Sequence, residues 1–69
     1  MTPADIKALR ASLGWPQSRL ARECGVSIRT VKYWESGQRN PSGSALIILA
    51  RLRLLATYAN YGYGDPNTV

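Results

Sequence analysis

A glycine at position 25 separates two short segments whose apolar residues recur at helical spacing. The first segment is Gln17–Cys24 and the second is Ile28–Ser36, with Ser27 placed to cap the second. The second segment carries basic residues on its polar side. Two short helices joined by a tight turn, the second one basic, can place a helix in the major groove of DNA. We therefore predict a helix-turn-helix unit at the centre of the fold.

A further helical pattern precedes this unit. Thr2 is a predicted N-cap, Pro3 lies in the first turn, and Asp5 stands three residues after the cap. Gly14 occupies a position that favours a left-handed C-cap. With the helix that follows the unit, these patterns predict an all-α fold, a compact four- to five-helix bundle.

The last predicted helix begins at Ser42 or Ser44 and is apolar on more than one face. The stripe expected to face the core consists of Ala45, Ile48, Leu49, Leu52, Leu55 and Ala56. A domain this small cannot bury both sides of the helix, so the surplus predicts a homodimer. We assign the dimer interface to Ile47, Leu54, Tyr58 and Tyr61. Scattered exposed apolar side chains, which are common on protein surfaces, are the alternative.

The length of 69 residues allows one domain with a small core. We assign residues 1–60 to this domain and residues 61–69 to a C-terminal tail, either flexible or ordered by association with a partner. Nine Lys and Arg against four Asp and Glu give a net charge of +5. That charge favours a polyanionic partner, although a merely basic protein has the same composition. One cysteine and no histidine exclude internal disulfides and the usual zinc sites, so we expect no metal or cofactor.

The predicted second helix of the unit supplies the residues expected to contact DNA bases. They are Ile28, Arg29, Lys32 and Tyr33. Arginine suits the O6 and N7 atoms of guanine, whereas an exposed isoleucine can contact a thymine methyl group. Two interpretations of Ile28 are open, because it could also pack on the turn beside Val31. Phosphate contacts are expected from Gln17, Ser18, Thr30, Ser36, Gln38 and Arg39. The alternative for both sets is a solvated polar surface.

Arg10 and Glu35 are a predicted structural ion pair between the first and third helices. If the pair is partly buried, loss of one partner costs about 3–5 kcal/mol. If it is exposed, the pair contributes less than about 1 kcal/mol. The acidic residues do not form a close pair in the sequence, and we identify no catalytic constellation, so we expect no enzyme.

The chain resembles the lambda-repressor/Cro-type helix-turn-helix domains, known as the XRE family, over about residues 4 to 56. The resemblance is carried by PQSRLA, GVS, TVKYWE and SGQRNPSG. The last of these is similar to the DNA-binding domain of MqsA-type antitoxins and to small phage autorepressors. The family implies a symmetric dimer on DNA and the contact residues named above. Two departures are Pro16, where the family has Thr or Ser, and Cys24, where it has leucine.

These observations predict a cytoplasmic transcriptional repressor or autoregulator, bacterial or encoded by a phage or mobile element. We expect it to bind an inverted-repeat operator as a homodimer, without a membrane segment, since its longest apolar run is Ala45 to Ala50. The alternative is an antitoxin-type module that also binds and neutralises a toxin or other protein partner.

Overall fold

Four helices make up the part of the chain that the computed structural model describes, which is residues 1–60. They are α1 (Pro3–Leu13), α2 (Gln17–Cys24), α3 (Ile28–Ser36) and α4 (Gly43–Asn60). The prediction of an all-α helix-turn-helix fold is confirmed. The predicted tail, including Tyr61, lies outside the described residues.

Local capping bonds determine where α1 and α3 begin. Thr2 Oγ1 accepts a hydrogen bond from the Asp5 N–H at 3.1 Å, and the Asp5 carboxylate accepts one from the Thr2 N–H at 3.0 Å. The bond from the Thr2 N–H lowers the pKa of the Asp5 carboxyl. Ser27 caps α3 by accepting from the Thr30 N–H at 3.2 Å. Both predicted helix starts are confirmed.

Gly25 makes the turn between α2 and α3. Its φ of +70° lies in the left-handed region, where a residue with a Cβ atom is strained. Its N–H donates to the Arg22 carbonyl at 3.2 Å, and the Val26 N–H donates to the Ala21 carbonyl at 3.0 Å. These bonds satisfy the last carbonyls of α2 and redirect the chain within two residues, which places α3 across α2.

The core draws one fully buried aliphatic side chain from each helix. These are Ile6, Leu20, Val31 and Leu49. Trp34 is also buried, as is Cys24, whose thiol pKa is raised by burial. Cys24 is therefore a small hydrophobic core residue, as predicted.

Helix α4 begins at Gly43, between the two predicted starts. The helix packs against α1 and α2, and its buried residues include Ala45, Leu49 and Ala56. The prediction that Leu55 belongs to the core stripe is wrong, because its side chain is 56% exposed. Leu55 is turned about 100° from Ala56 on the helix, which takes it past the edge that α1 and α2 cover. No helix within residues 1–60 is long and apolar enough to cross a membrane.

Candidate nucleic-acid interface

Helix α3 has one face anchored in the core and the opposite face in solvent. Val31 is fully buried and Trp34 is 4% exposed, so these two side chains hold the helix against α1 and α2. Arg29 and Lys32 are exposed, and neither forms an ion pair with another residue in the range 1–60. The structure therefore presents two uncompensated positive charges on the outer face of α3.

Ile28 is the first residue of α3 and is 43% exposed. Tyr33, five residues further along the helix, is half-buried, and the Arg39 guanidinium lies 5.2 Å from the centroid of its ring. The distance is that of a cation–π contact, so Arg39 covers part of one face of the tyrosine ring.

The loop after α3 is folded onto the end of that helix. The Tyr33 carbonyl accepts the N–H of Gln38 at 3.0 Å, the N–H of Arg39 at 3.3 Å and the Ser36 hydroxyl at 3.2 Å. Gly37 allows this geometry with a φ of +85°. The side chains of Gln38 and Arg39 are consequently exposed on the same end of the molecule as the outer face of α3.

The N-terminus of α2 lacks a side-chain cap, because Pro16 occupies the N-cap position. The N–H groups of Arg19 and Leu20 donate to the Pro16 carbonyl, which leaves those of Gln17 and Ser18 at the positive end of the helix dipole. Such N–H groups bind phosphate. The Ser18 side chain is exposed there.

A family model described as helix-turn-helix matches residues 6–52, which is more than half of the chain. The chain belongs to the XRE-type helix-turn-helix family. It is accordingly a DNA-binding transcription regulator. Among curated proteins and among solved structures, no match to the chain is found.

In this helix-turn-helix regulator the Gln17 side chain forms a hydrogen bond within the fold. Its Nε2 donates to Glu35 Oε1 at 3.1 Å, and the residue is half-buried. One amide proton is thereby used within the fold. The second amide proton and the backbone N–H remain as donors for a phosphate.

Arg10 and Glu35 form an ion pair in the regulator, and the Arg10 Nη1 also donates to the Trp15 carbonyl at 3.0 Å. The Glu35 side chain is 5% exposed and that of Arg10 is 23% exposed. The bonds from Arg10, followed by the bond from Gln17, hold the pKa of the Glu35 carboxyl below its usual range. Burial acts in the opposite direction but is outweighed. The network joins α1, α2 and α3.

Thr30 takes part in the cap of α3, since its Oγ1 lies 3.0 Å from the Ser27 Oγ and the residue is half-buried. Its hydroxyl is therefore engaged locally, and a phosphate contact would add a second hydrogen bond to it. Among the predicted phosphate residues, Ser18, Ser36, Gln38 and Arg39 are exposed, although the Ser36 hydroxyl is also bonded to the Tyr33 carbonyl.

The sequence reasoning missed two contacts of Arg19. The Arg19 guanidinium lies 4.5 Å from the centroid of the Trp15 ring, and its Nε is 3.0 Å from the Glu23 carboxylate. Arg19 and Glu23 are four residues apart within α2, so the i,i+4 rule would have identified their ion pair, whereas Trp15 precedes the helix and its contact does not follow from that rule. Arg19 is already partnered on both sides and therefore adds less to the positive field than its charge suggests.

Proposed function

We propose that this chain is a sequence-specific transcriptional repressor that binds an inverted-repeat operator as a homodimer, with α3 in the major groove. The observation that carries the proposal is the outward, cationic face of α3. Val31 and Trp34 fix the helix from behind, while Arg29 and Lys32 extend into solvent without carboxylate partners in residues 1–60. A helix held this way can enter the groove without any rearrangement of the core.

Two flanking surfaces would position α3 on the sugar–phosphate backbone. On one side, the uncapped start of α2 offers backbone N–H groups at Gln17 and Ser18. On the other side, the folded loop offers Gln38 and Arg39, with Ser36 beside them. The net charge of +5 adds sequence-independent attraction to DNA.

The outer side of α4 supports the homodimer. Ile47 is 57% exposed, Leu54 58% and Tyr58 53%, and all three lie on the side opposite the core stripe. A two-fold dimer would bury this patch against its own copy and present two copies of α3. Their half-sites would then lie about one helical turn apart on the operator, and occupancy of that operator by the dimer is sufficient for repression.

Footprinting of the purified chain on the DNA upstream of its own coding sequence tests the proposal. We expect a protected inverted repeat, with two protomers bound per site. The variant with both Arg29→Ala and Lys32→Ala should lose the footprint while keeping its helical circular dichroism. Weak binding spread evenly along the fragment, without a protected repeat, would contradict the repressor assignment.

A second candidate function is that of an antitoxin-type module. The segment Gly43–Asn60 contains no Asp or Glu but carries Arg51 and Arg53 among its exposed apolar residues. An apolar surface with only positive charges also fits a protein partner that has an acidic rim. Stable co-purification with the product of an adjacent gene, abolished by Leu54→Arg, would support this function. Failure of the two proteins to associate would exclude that particular partner.

A further inference from the structure

A groove runs between α1 and the C-terminal half of α4, and none of the residues that line it is a predicted DNA contact. Its cavity volume is about 190 Å³. The floor is apolar, since Leu9 and Ala56 line it and each is only 5% exposed. The small side chains of Ala8 and Ser12 leave the hollow accessible from solvent. Residues 1–60 therefore form a hollow with an apolar floor and do not fill it.

The rim of the groove carries one residue of each charge, and only one of them is already paired. The Asp5 carboxylate accepts a hydrogen bond from the Thr2 N–H at 3.0 Å. Arg53 is exposed and forms no salt bridge with another residue in the range 1–60. The groove therefore fits an occupant that combines an apolar ring with a nearby carboxylate.

The segment that follows α4 contains both of these groups. Residues 61–69 read YGYGDPNTV, so Tyr63 stands two residues before Asp65. The other three acidic residues of the chain already have hydrogen-bond or ion-pair partners within residues 1–60. A protein cavity of about 150 Å³ binds benzene, so a volume of about 190 Å³ accommodates a phenol ring. The chemistry of the segment thus matches that of the groove.

The length of the segment also matches the distance back to the groove. An α-helix rises about 1.5 Å per residue, so Ala56 lies about 6 Å and Arg53 about 10 Å before the end of α4. An extended chain spans at most about 3.3–3.6 Å per residue, which gives Tyr63 a reach of about 10 Å and Asp65 one of about 17 Å. Gly62, the second residue after the helix, permits the left-handed conformation that reverses a chain at a helix end. Both side chains are therefore within reach of their partners.

We propose that residues 61–69 turn back along α4 and dock in this groove, with the Tyr63 ring on its apolar floor and the Asp65 carboxylate beside Arg53. A ring tethered by so short a linker is present at a millimolar effective concentration, so a small contact area is sufficient to hold it. The docked segment ties α1 to the C-terminal half of α4. It leaves the proposed dimer surface free, since Leu54 is turned about 100° from Arg53 on the helix. The inference is independent of the proposed function, because it involves no contact with DNA.

Nuclear magnetic resonance of the isotope-labelled full chain tests the docking directly. We expect nuclear Overhauser contacts between the ring protons of Tyr63 and the methyl protons of Ala8 and Ala56. The ring of Tyr61, which follows the helix end immediately, is the internal control and should show none of these contacts. Absence of the Tyr63 contacts would overturn the proposal. Contacts that appear only between chains, in a mixture of labelled and unlabelled protein, would assign the groove to a second copy and overturn it as well.

Urea denaturation of the full chain measures what the docked ring contributes to stability. Tyr63→Ala should raise the equilibrium constant for unfolding about fivefold, because part of an aromatic ring is no longer removed from water. Tyr63→Phe keeps the ring and is the matched control, so its constant should stay within about twofold of that of the wild type. An unchanged constant in Tyr63→Ala, or equal changes in both variants, would contradict the docking of the ring.

A pair of arginine variants tests the charge contact. Arg53→Gln should lower the heteronuclear Overhauser value of the Asp65 amide, since the segment loses its ionic partner. Arg51→Gln removes the same charge from a position turned about 160° away on α4 and should leave that value unchanged. Equal responses of the two variants would overturn the pairing of Asp65 with Arg53. None of these measurements uses DNA, so their failure would leave the repressor assignment intact.

Discussion

Arg10 and Glu35 form a two-point ion pair between α1 and the end of α3, with Nε to Oε2 at 2.6 Å and Nη2 to Oε1 at 2.9 Å. The carboxylate is buried and the guanidinium keeps partial contact with solvent. A planar guanidinium matched to a carboxylate fixes orientation as well as distance. The angle at which α3 leaves the core therefore depends on this pair.

We expect Glu35→Ala to lower the free energy of unfolding by about 3 kcal/mol, because it leaves Arg10 partly buried without its counter-charge. In a domain of this size that loss removes much of the stability. Urea denaturation followed by circular dichroism at pH 7 measures it. Glu23→Ala is the matched control, since its pair with Arg19 is solvent-exposed and should contribute less than about 1 kcal/mol. Similar losses in both variants would contradict the structural role of Glu35.

The same pair predicts a loss of stability in acid. The pKa of Glu35 is lower in the folded chain than its ordinary value of 4.5, so the folded state holds the ionised form more strongly. That stabilisation is present above pH 4.5 and is lost as the pH falls through the folded pKa. The Glu35→Gln side chain cannot titrate. The difference in free energy of unfolding between wild type and this variant should therefore shrink as the pH is lowered. A difference in free energy of unfolding that stays constant from pH 7 to pH 3 would show that the ionisation of Glu35 does not stabilise the fold.

Gln17→Ala should weaken binding to operator and to random DNA by the same factor, about fivefold for one lost hydrogen bond. A phosphate contact carries no sequence information, and the bond to Glu35 orients the residue without touching a base. Gel-shift titrations on both DNAs measure the two losses. Ser18→Ala, at the neighbouring exposed position, shows whether DNA binding at the N-terminus of α2 needs the serine side chain. A loss confined to the operator would assign Gln17 to base reading instead.

Arg39→Ala should reduce the affinity for all DNA sequences and lower the slope of log affinity against log salt by about 1. The residue is exposed and stacked on Tyr33, which places its charge beside the proposed DNA backbone path. Arg53→Ala removes an equal charge from α4, and its slope should stay close to that of the wild type. Equal changes in slope for both variants would show that total charge, and not the position of Arg39, governs binding.

Leu54→Arg should shift the chain from dimer to monomer, because it places a charge in the middle of the exposed apolar side of α4. Sedimentation velocity over a range of concentrations measures the shift, and operator affinity should fall with it. Ala11→Arg adds the same charge at an exposed site on α1 and should leave the distribution unchanged. A wild-type chain that sediments as a monomer at all concentrations would refute the homodimer.

Interactions over a few residues could be predicted from the sequence. The cap at Thr2, the cap at Ser27 and the turn at Gly25 each depend on residues within four positions, so their residue types determine them. The anchoring of α3 followed from the spacing of Val31 and Trp34, because helical periodicity assigns faces without reference to the rest of the chain. These features were sufficient to predict the all-α helix-turn-helix fold and the face of α3 that points into solvent.

Contacts between distant residues were decided by the tertiary structure. The pairing of Arg10 with Glu35 was predicted, but the burial of the Glu35 carboxylate and its bond to Gln17, 18 residues away, depend on how the helices cross. The exposure of Leu55 depends on how far around α4 its neighbours extend. Periodicity gives the direction of a side chain from its own helix axis, whereas only packing determines which neighbour stands in that direction.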